Sequence, residues 1–430
     1  MTKLAIILAK IIIFFGDIFK RGSALPGYIA QKIDKNIFNN LQYPQNIIMV
    51  TGTNGKTSTT NFIARIISGS PYKVIVNKEG ANMPQGILTC LLRNASISGK
   101  VNSDVAVLEV DEGFLGSIIS KIKPNYLLIT NLFDDQVDRF GTSYDLQNKL
   151  KEIDYSGIKL VLNANDPLLV DLSKKVSADE IIYFGLDSYK DEENNFSVAC
   201  PNCKKPLTYS NTMYSKIGIF SCSCGLATPK AKYLAENINI NSGEFTLNSH
   251  KFTSNYKTDY FIFNLLGAIS ICKELGLTNS LIDKQIEDFE IKGGRLEKFT
   301  FNGEDSFLNL IKNPAGLSAS LSYIESLKRD NFNLYLGVNK NPADGTDASW
   351  LSKVDFSLLK SASVNKIFIE GGALEEIKDA FRNQNIDENK IISNLSTEEI
   401  VKEMKNDNRQ AFFLVNYTKM ADLRSALGLN

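Results

Sequence analysis

Residues 47–67 read IIMVTGTNGKTSTTNFIARII, a strand, loop and helix pattern from which the rest of the chain can be placed. A short apolar run, Ile47 to Val50, leads into a glycine loop, after which Phe62, Ile63, Ile66 and Ile67 recur at the spacing of one helix face. Strand, glycine loop and helix is the context in which backbone N–H groups cradle phosphates at a helix N-terminus. The loop differs from the common G-x-x-x-x-G-K-[ST] pattern in carrying Val50 where the first glycine would stand. ATP-binding candidates are Gly52, Thr53, Asn54, Gly55, Lys56, Thr57 and Ser58, with Lys56 on the terminal phosphates and Thr57 on Mg²⁺.

Outward from the loop, apolar runs recur at KVIV (73–76), DVAVLEV (104–110), YLLIT (126–130) and IKLVLN (158–163), with segments between them long enough for helices. The alternation predicts a parallel, doubly wound sheet whose ligands sit at the carboxyl ends of the strands. Two runs end in acids: Glu109, Asp111 and Glu112 after one, Asp134, Asp135 and Asp138 after the other. Either cluster alone could be scattered surface charge. On strand ends beside a phosphate loop they predict a Mg²⁺ site, since Mg²⁺ takes one or two carboxylates together with nucleotide oxygens.

The chain of 430 residues, 43% of them hydrophobic, is long enough for two or three domains. Lys plus Arg and Asp plus Glu both number 48, so no basic excess points to nucleic acid; a small molecule or another protein is the expected partner. In the N-terminal segment, 1–46, the apolar run LAIILAKIIIFFGDIF is interrupted by Lys10 and Asp17 and falls short of the roughly 20 residues that span a bilayer. It also lacks a small-residue cleavage site. Two readings stay open: a helix packed in the protein or covered by a partner, and a helix lying on the membrane face. Both fit a cytoplasmic protein, the second one at the inner face of the plasma membrane.

Cys200, Cys203, Cys222 and Cys224 form two close pairs within CPNCKKPLTYSNTMYSKIGIFSCSCG. In a cytoplasmic chain that spacing predicts a Cys₄ zinc ribbon, at about residues 197–228, with C-x-C replacing the usual C-x₂-C in the second pair. Cys90 and Cys272 read as core residues. Beyond residue 298, NLYLGV, KIFIEG, KIIS and AFFLVNYT again alternate with helical patterns, which predicts a smaller α/β domain over 298–430.

TGTNGKT, the strand ending in Glu109, TNLFDDQVDRFG, LNANDP (162–167) and GGRLE (293–297) resemble, in order and spacing, the Mur ligases of peptidoglycan precursors. The resemblance implies an ATPase domain over 47–297 that phosphorylates a carboxylate, giving an acyl phosphate for an amine to attack. It assigns Glu109 to Mg²⁺, Asn131 and Asp135 to the segment facing nucleotide and metal, Asp166 and Asn264 to the nucleotide side, and Arg295 to the GR-E motif. Gln136 and Phe140 stand where amino-acid-adding members carry histidines, which puts their second metal site in doubt, and Phe261 and Phe263 replace an expected Asn and Tyr beside Tyr260.

The ribbon, with GSALPGYIA (22–30), NKEGANMPQGI (77–87), LIKNPAG (310–316), ADGTDASW (343–350) and NYTKMADLRSAL (416–427), resembles one amidating branch of that family. In that branch the nucleophile is ammonia from a class I glutaminase partner of the GatD type. The acceptor is lipid II or a related muropeptide, and the product is D-isoglutamine in the peptidoglycan stem. The resemblance puts an aspartate of the ADGTDASW loop at the ammonia site, Asp347 first and Asp344 second; the bland alternative is that both acids only shape the turn at Gly345. Composition agrees that ammonia must come from elsewhere: a glutaminase needs a Cys nucleophile with a His base, and the chain has one histidine, His250. The rival expectations are a ligase that adds an amino acid, as ordinary Mur ligases and folylpolyglutamate synthetases do, and a non-catalytic scaffold for a glutaminase.

Overall fold

The computed structural model describes residues 1–18, 24–77, 80–135, 141–189, 198–287, 289 and 295–429. The chain divides into two compact units, Met1–Leu132 with Ser143–Phe289, and Phe133–Thr142 with Glu290–Asn430.

The first unit is built on a nine-stranded sheet among the described residues. From one edge its strands are His250–Thr253, Glu244–Leu247, Tyr233–Asn239, Ala178–Leu186, Tyr155–Asn163, Tyr126–Ile129, Asn46–Thr51, Val105–Glu109 and Val74–Val76. Pairing is parallel from Tyr233–Asn239 to the Val74–Val76 edge, and antiparallel in the two pairs that Glu244–Leu247 makes with Tyr233–Asn239 and His250–Thr253. The central strands read as near-continuous apolar runs because helices cover both of their faces. Asn46–Thr51 lies between Tyr126–Ile129 and Val105–Glu109, with Val50 opposite Glu109 and Thr51 opposite Ile129. That register brings the ends of three strands, each followed by polar residues, to one rim of the sheet.

Helix Lys56–Ser68 leaves the glycine loop, and helix Asp259–Glu274 packs along it. The N-terminal segment belongs to this unit. Helix Thr2–Ile18 packs on helices Leu25–Ile33 and Pro84–Asn94 through Ala5, Ile6, Ala9 and Ile13. The amide of Gly27, in the GSALPGYIA segment, donates to Thr89 Oγ1 of helix Pro84–Asn94 at 2.9 Å. The helix is packed on one face, while its opposite face carries exposed apolar residues.

Among its described residues the second unit holds a six-stranded sheet in the order Glu297–Phe301, Glu304–Leu310, Ala411–Val415, Phe332–Gly337, Val364–Glu370, Ile391–Ile392. Only the first pair is antiparallel. Asn313 caps helix Pro314–Ser326 by accepting from the Gly316 amide at 2.9 Å, with Pro314 in the first turn where its missing N–H costs nothing. This accounts for the NPAG motif.

Candidate functional site

Gly55 sits in the left-handed region, φ 85°, immediately before helix Lys56–Ser68, and Gly52 has φ 122°. A Cβ at Gly55 would lie 2.1 Å from Asn264 Oδ1, and one at Gly52 would lie 2.3 Å from Thr130 Oγ1, so neither position admits a side chain. The loop is clamped from the neighbouring strand end. Thr53 N donates to Asn131 O at 2.9 Å, Asn54 N donates to Asn131 Oδ1 at 2.9 Å, and Asn131 Nδ2 with Thr130 Oγ1 donate to Asn54 O at 3.0 and 2.6 Å. Thr57 and Ser58 are buried in the first helical turn.

Lys56 curls back over this loop, donating to Gly52 O at 2.6 Å and to Glu112 Oε2 at 2.7 Å. Burial works against its charge, but the carboxylates of Glu112, Asp111 and Glu109 hold the ammonium above the ordinary lysine range. Glu109 is also buried. Asn82 Nδ2 donates to its Oε1 at 3.0 Å, and Asn77 brackets its backbone, accepting from Glu109 N at 2.8 Å and donating to Glu109 O at 2.9 Å.

Asp166 is fully buried. Its Oδ1 accepts from Leu168 N at 2.9 Å, which caps helix Pro167–Ser173, and its Oδ2 accepts from Leu132 N at 2.8 Å. Burial pushes its carboxyl above the ordinary range. With both oxygens committed to backbone amides, what Asp166 does for the loop is to fix the strand end that carries Asn131. Asn264, buried on helix Asp259–Glu274, turns Oδ1 toward Gly55 while its Nδ2 is buried without a hydrogen-bond partner. A glycine cradle, an uncommitted buried amide, a lysine and buried carboxylates fit a nucleotide with Mg²⁺. Lys56, Thr57 and the loop amides would hold phosphate, and Thr57 with Glu109 the metal.

Arg295, Asp135 and the two acids of ADGTDASW lie in the second unit. Arg295 precedes strand Glu297–Phe301 and is half-buried. Asp135 is ion-paired with Lys312 of the LIKNPAG segment. Asp138, Gln136, Phe140, Gly293 and Gly294 lie outside the described residues. The two acids of ADGTDASW differ sharply. Asp344 is half-buried and accepts from both the amide (2.9 Å) and the hydroxyl of Thr418. Asp347 is exposed and bonded only to Ser349, accepting from N at 2.8 Å and Oγ at 3.0 Å, hydrogen bonds that hold its carboxyl below the usual range. The loop is therefore held by the first aspartate and presents the second.

The four cysteines meet at the turns flanking hairpin Thr208–Tyr214 and Ile217–Ser221, with all four Sγ atoms within 4.8 Å of one another. Cys200 and Cys224 sulfurs are 3.6 Å apart, Cys203 and Cys222 3.5 Å. Thiolates about 2.3 Å from a tetrahedral Zn²⁺ have edges of about 3.8 Å, so the cluster suits zinc, with both the C-x₂-C and the C-x-C pair contributing to it. The amide of Leu226 and the side chain of Asn202 hold the Cys224 thiol at about 6, while burial pushes Cys200 up to about 12. A dication at the centre would favour the thiolate at all four.

Sequence reasoning missed four partners: Glu112 on Lys56, Asn77 and Asn82 on Glu109, and Thr418 on Asp344. Each stands within a segment singled out in the sequence, but in a chain rich in asparagine no local signal separates a bracing Asn from a surface one.

The family model of the Mur ligase middle domain matches residues 50–272, and that of the MurT ligase C-terminal region matches residues 310–420. The chain is 35% identical, over 84% of its length and 82% of the relative's, to the lipid II isoglutaminyl synthase (glutamine-hydrolyzing) subunit MurT of Staphylococcus aureus. To the subunit of the same name from Streptococcus pneumoniae it is 33% identical, over 95% of this chain and 92% of that one. A pseudomurein peptide ligase type C from Methanothermus fervidus shares the fold, with a TM-score of 0.71 at 20% identity over 92% of this chain and 80% of that one. With a Mur-type ATPase unit, an inserted four-cysteine ribbon and a second α/β unit that matches the MurT C-terminal region, the chain belongs to the MurT family of Mur ligase subunits.

Proposed function

We propose that this chain is the ATP-consuming subunit of a glutamine-dependent ligase of peptidoglycan precursors. It amidates the α-carboxylate of D-glutamate in the stem of lipid II, or of a related muropeptide, to D-isoglutamine. The observation that carries the reading is its 33–35% identity, across both units, to subunits named for lipid II isoglutaminyl synthase.

The residues take roles that follow from their chemistry. ATP supplies the phosphoryl group that turns the acceptor carboxylate into an acyl phosphate. With the Thr53 and Asn54 amides taken by Asn131, the amides of Gly52 and of Gly55 to Ser58 hold phosphates, and Lys56 neutralises charge that builds up during transfer. Glu109, braced by Asn77 and Asn82, and Thr57 hold Mg²⁺. Asn264 offers its free amide to the nucleotide, Asn131 and Asp166 keep the loop in shape, and Arg295 acts through the GR-E motif. The four cysteines hold a structural Zn²⁺, because all four positions are protein ligands and none is left open.

Ammonia comes from a class I glutaminase of the GatD type. The cysteines and histidine of this chain support an outside source. Burial pushes Cys90 to about 12 and Cys272 higher, the other four cysteines form the cluster, and His250 pairs with Asp283 at 2.7 Å. No Cys–His nucleophile pair exists among the described residues. Ammonium is no nucleophile, and an acyl phosphate open to water hydrolyses, so an adjoining glutaminase delivering unprotonated ammonia under shelter meets both demands. Asp347, exposed on a loop fastened by Asp344, is the group presented to that partner.

Copurification with a glutaminase, followed by an amidation assay with glutamine and ATP read by mass spectrometry, tests the proposal. Exchange of one hydroxyl for an amino group supports it. Addition of a whole residue would instead mean an amino-acid-adding ligase, and absence of ATP turnover by the mixed subunits would mean a scaffold.

A further inference from the structure

Helix Thr2–Ile18 is apolar on both of its faces. One stripe, Ala5, Ile6, Ala9 and Ile13, is buried against the neighbouring helices, and the small side chains of Ala5 and Ala9 allow a close approach. The opposite stripe, Leu4, Ile7, Ile11, Phe14, Phe15 and Ile18, is between 39% and 64% exposed. Of the thirteen large apolar side chains exposed among the described residues, nine lie within residues 1–28, with Leu25 and Tyr28 on the next helix completing the group. A continuous apolar patch of this kind marks an interaction surface.

Charge indicates what covers it. The chain as a whole is balanced, but the two acids of residues 1–35 are both consumed internally. Asp17 takes both ends of the Arg93 guanidinium, and Asp34 is buried, accepting from Thr2 Oγ1 at 2.6 Å, Asn40 Nδ2 at 3.0 Å and Asn36 N at 3.0 Å. Lys10 is turned inward, donating to Arg93 O at 3.1 Å. Asp17 is exposed but neutralised by Arg93, so the other exposed charges among the described residues of 1–35 are the cations Lys3, Lys32 and Lys35. An uncharged apolar stripe rimmed by lysines complements an anionic bilayer, with side chains in the acyl boundary and ammonium groups among phosphates. No helix among the described residues is long and apolar enough to cross a membrane, so this one would lie along the surface.

We infer that the exposed face of helix Thr2–Ile18, with Lys3, Lys32 and Lys35, docks this subunit on an anionic phospholipid surface. Its use rests on the proposed lipid-linked acceptor. A reversible contact in the plane of the interface keeps the ATPase unit near an acceptor that diffuses only in two dimensions, and lets both leave together.

The test is sedimentation of the full chain with vesicles of equal parts phosphatidylcholine and phosphatidylglycerol, against vesicles of phosphatidylcholine alone. The wild type is expected to bind the anionic vesicles, and the triple variant F14S, F15S, I18S to bind at least about tenfold more weakly. K3E, K32E, K35E should abolish the preference for phosphatidylglycerol and the sensitivity of binding to salt. These side chains are exposed, so unchanged melting of the variants shows that folding is not the cause. Absence of wild-type binding, or undiminished binding by the apolar variant, overturns the inference. So does an apolar variant that converts a dimer to a monomer, or loses a copurifying glutaminase, since the face then belongs to a second copy or to the partner. Vesicle binding needs neither ATP nor glutamine. Amidation of a soluble muropeptide, measured in parallel, separates failure of this surface from failure of the proposed reaction.

Discussion

The Nζ of Lys56 and Oε2 of Glu112 stand 2.7 Å apart, both buried, fifty-six residues apart in the chain. The phosphate-loop lysine is therefore held by a carboxylate and by the loop carbonyl of Gly52. Lys56→Ala is expected to abolish ATP turnover, and to destabilise the fold by about 3–5 kcal/mol because it strands Glu112 without a counter-charge. Lys56→Met with Glu112→Gln should recover most of the stability and none of the turnover. Denaturant midpoints and phosphate release check the two effects separately. Unimpaired turnover in either variant would remove Lys56 from the chemistry.

The cysteine cluster predicts about one equivalent of zinc per chain in protein prepared without chelator. Cys200→Ser should lower both the zinc content and Tm, because the buried thiol also packs with Val170, Leu207, Phe220 and Leu226. Cys224→Ser, at the exposed corner, should lower zinc affinity with a smaller change in Tm. Elemental analysis showing less than about half an equivalent in the wild type would count against a zinc ribbon.

The two loop aspartates should separate by phenotype. Asp347→Asn changes an exposed carboxylate bonded only to Ser349, so stability is expected to move by less than about 0.5 kcal/mol while glutamine-dependent amidation is lost. Asp344→Asn weakens the clasp on Thr418 and is expected to cost about 1–3 kcal/mol. Thr418→Val, which removes the hydroxyl from the other side, should reproduce the Asp344 defect. If Asp347→Asn amidates with glutamine at the wild-type rate, the loop's presented acid is not the coupling group.

Acid should destabilise the first unit through Asp171. Burial works against this carboxylate, but hydrogen bonds and charge from Lys175 (2.8 Å) and Lys151 (3.2 Å) hold it below the ordinary range. A carboxyl whose folded value is depressed contributes its stability above the unfolded value, about 3.9, and loses it as pH falls through the folded one. Urea midpoints of the wild type should therefore fall on acidification below about pH 5, and Asp171→Asn should flatten that slope while lowering stability at neutral pH. An unchanged slope in the variant would assign acid sensitivity to other groups.

The alternation of strand and helix, the glycine loop and the pairing of close cysteines are legible in the chain before it folds. These are local: periodicity follows from backbone geometry over a few residues, and a loop that must adopt φ of 85° at Gly55 declares itself by its glycine. Which acid meets Lys56, which face of helix Thr2–Ile18 is covered, and the fastening of Asp344 while Asp347 is presented emerge from long-range packing. Glu109, Asp111 and Glu112 are equal in sequence as carboxylates at one strand end. They become different when the sheet register sets Val50 opposite Glu109 and Lys56 reaches Glu112 from the next segment. Such choices are made through space, between residues such as Asp344 and Thr418 that are seventy-four positions apart, where burial and the competition for hydrogen-bond partners leave no trace in the local pattern.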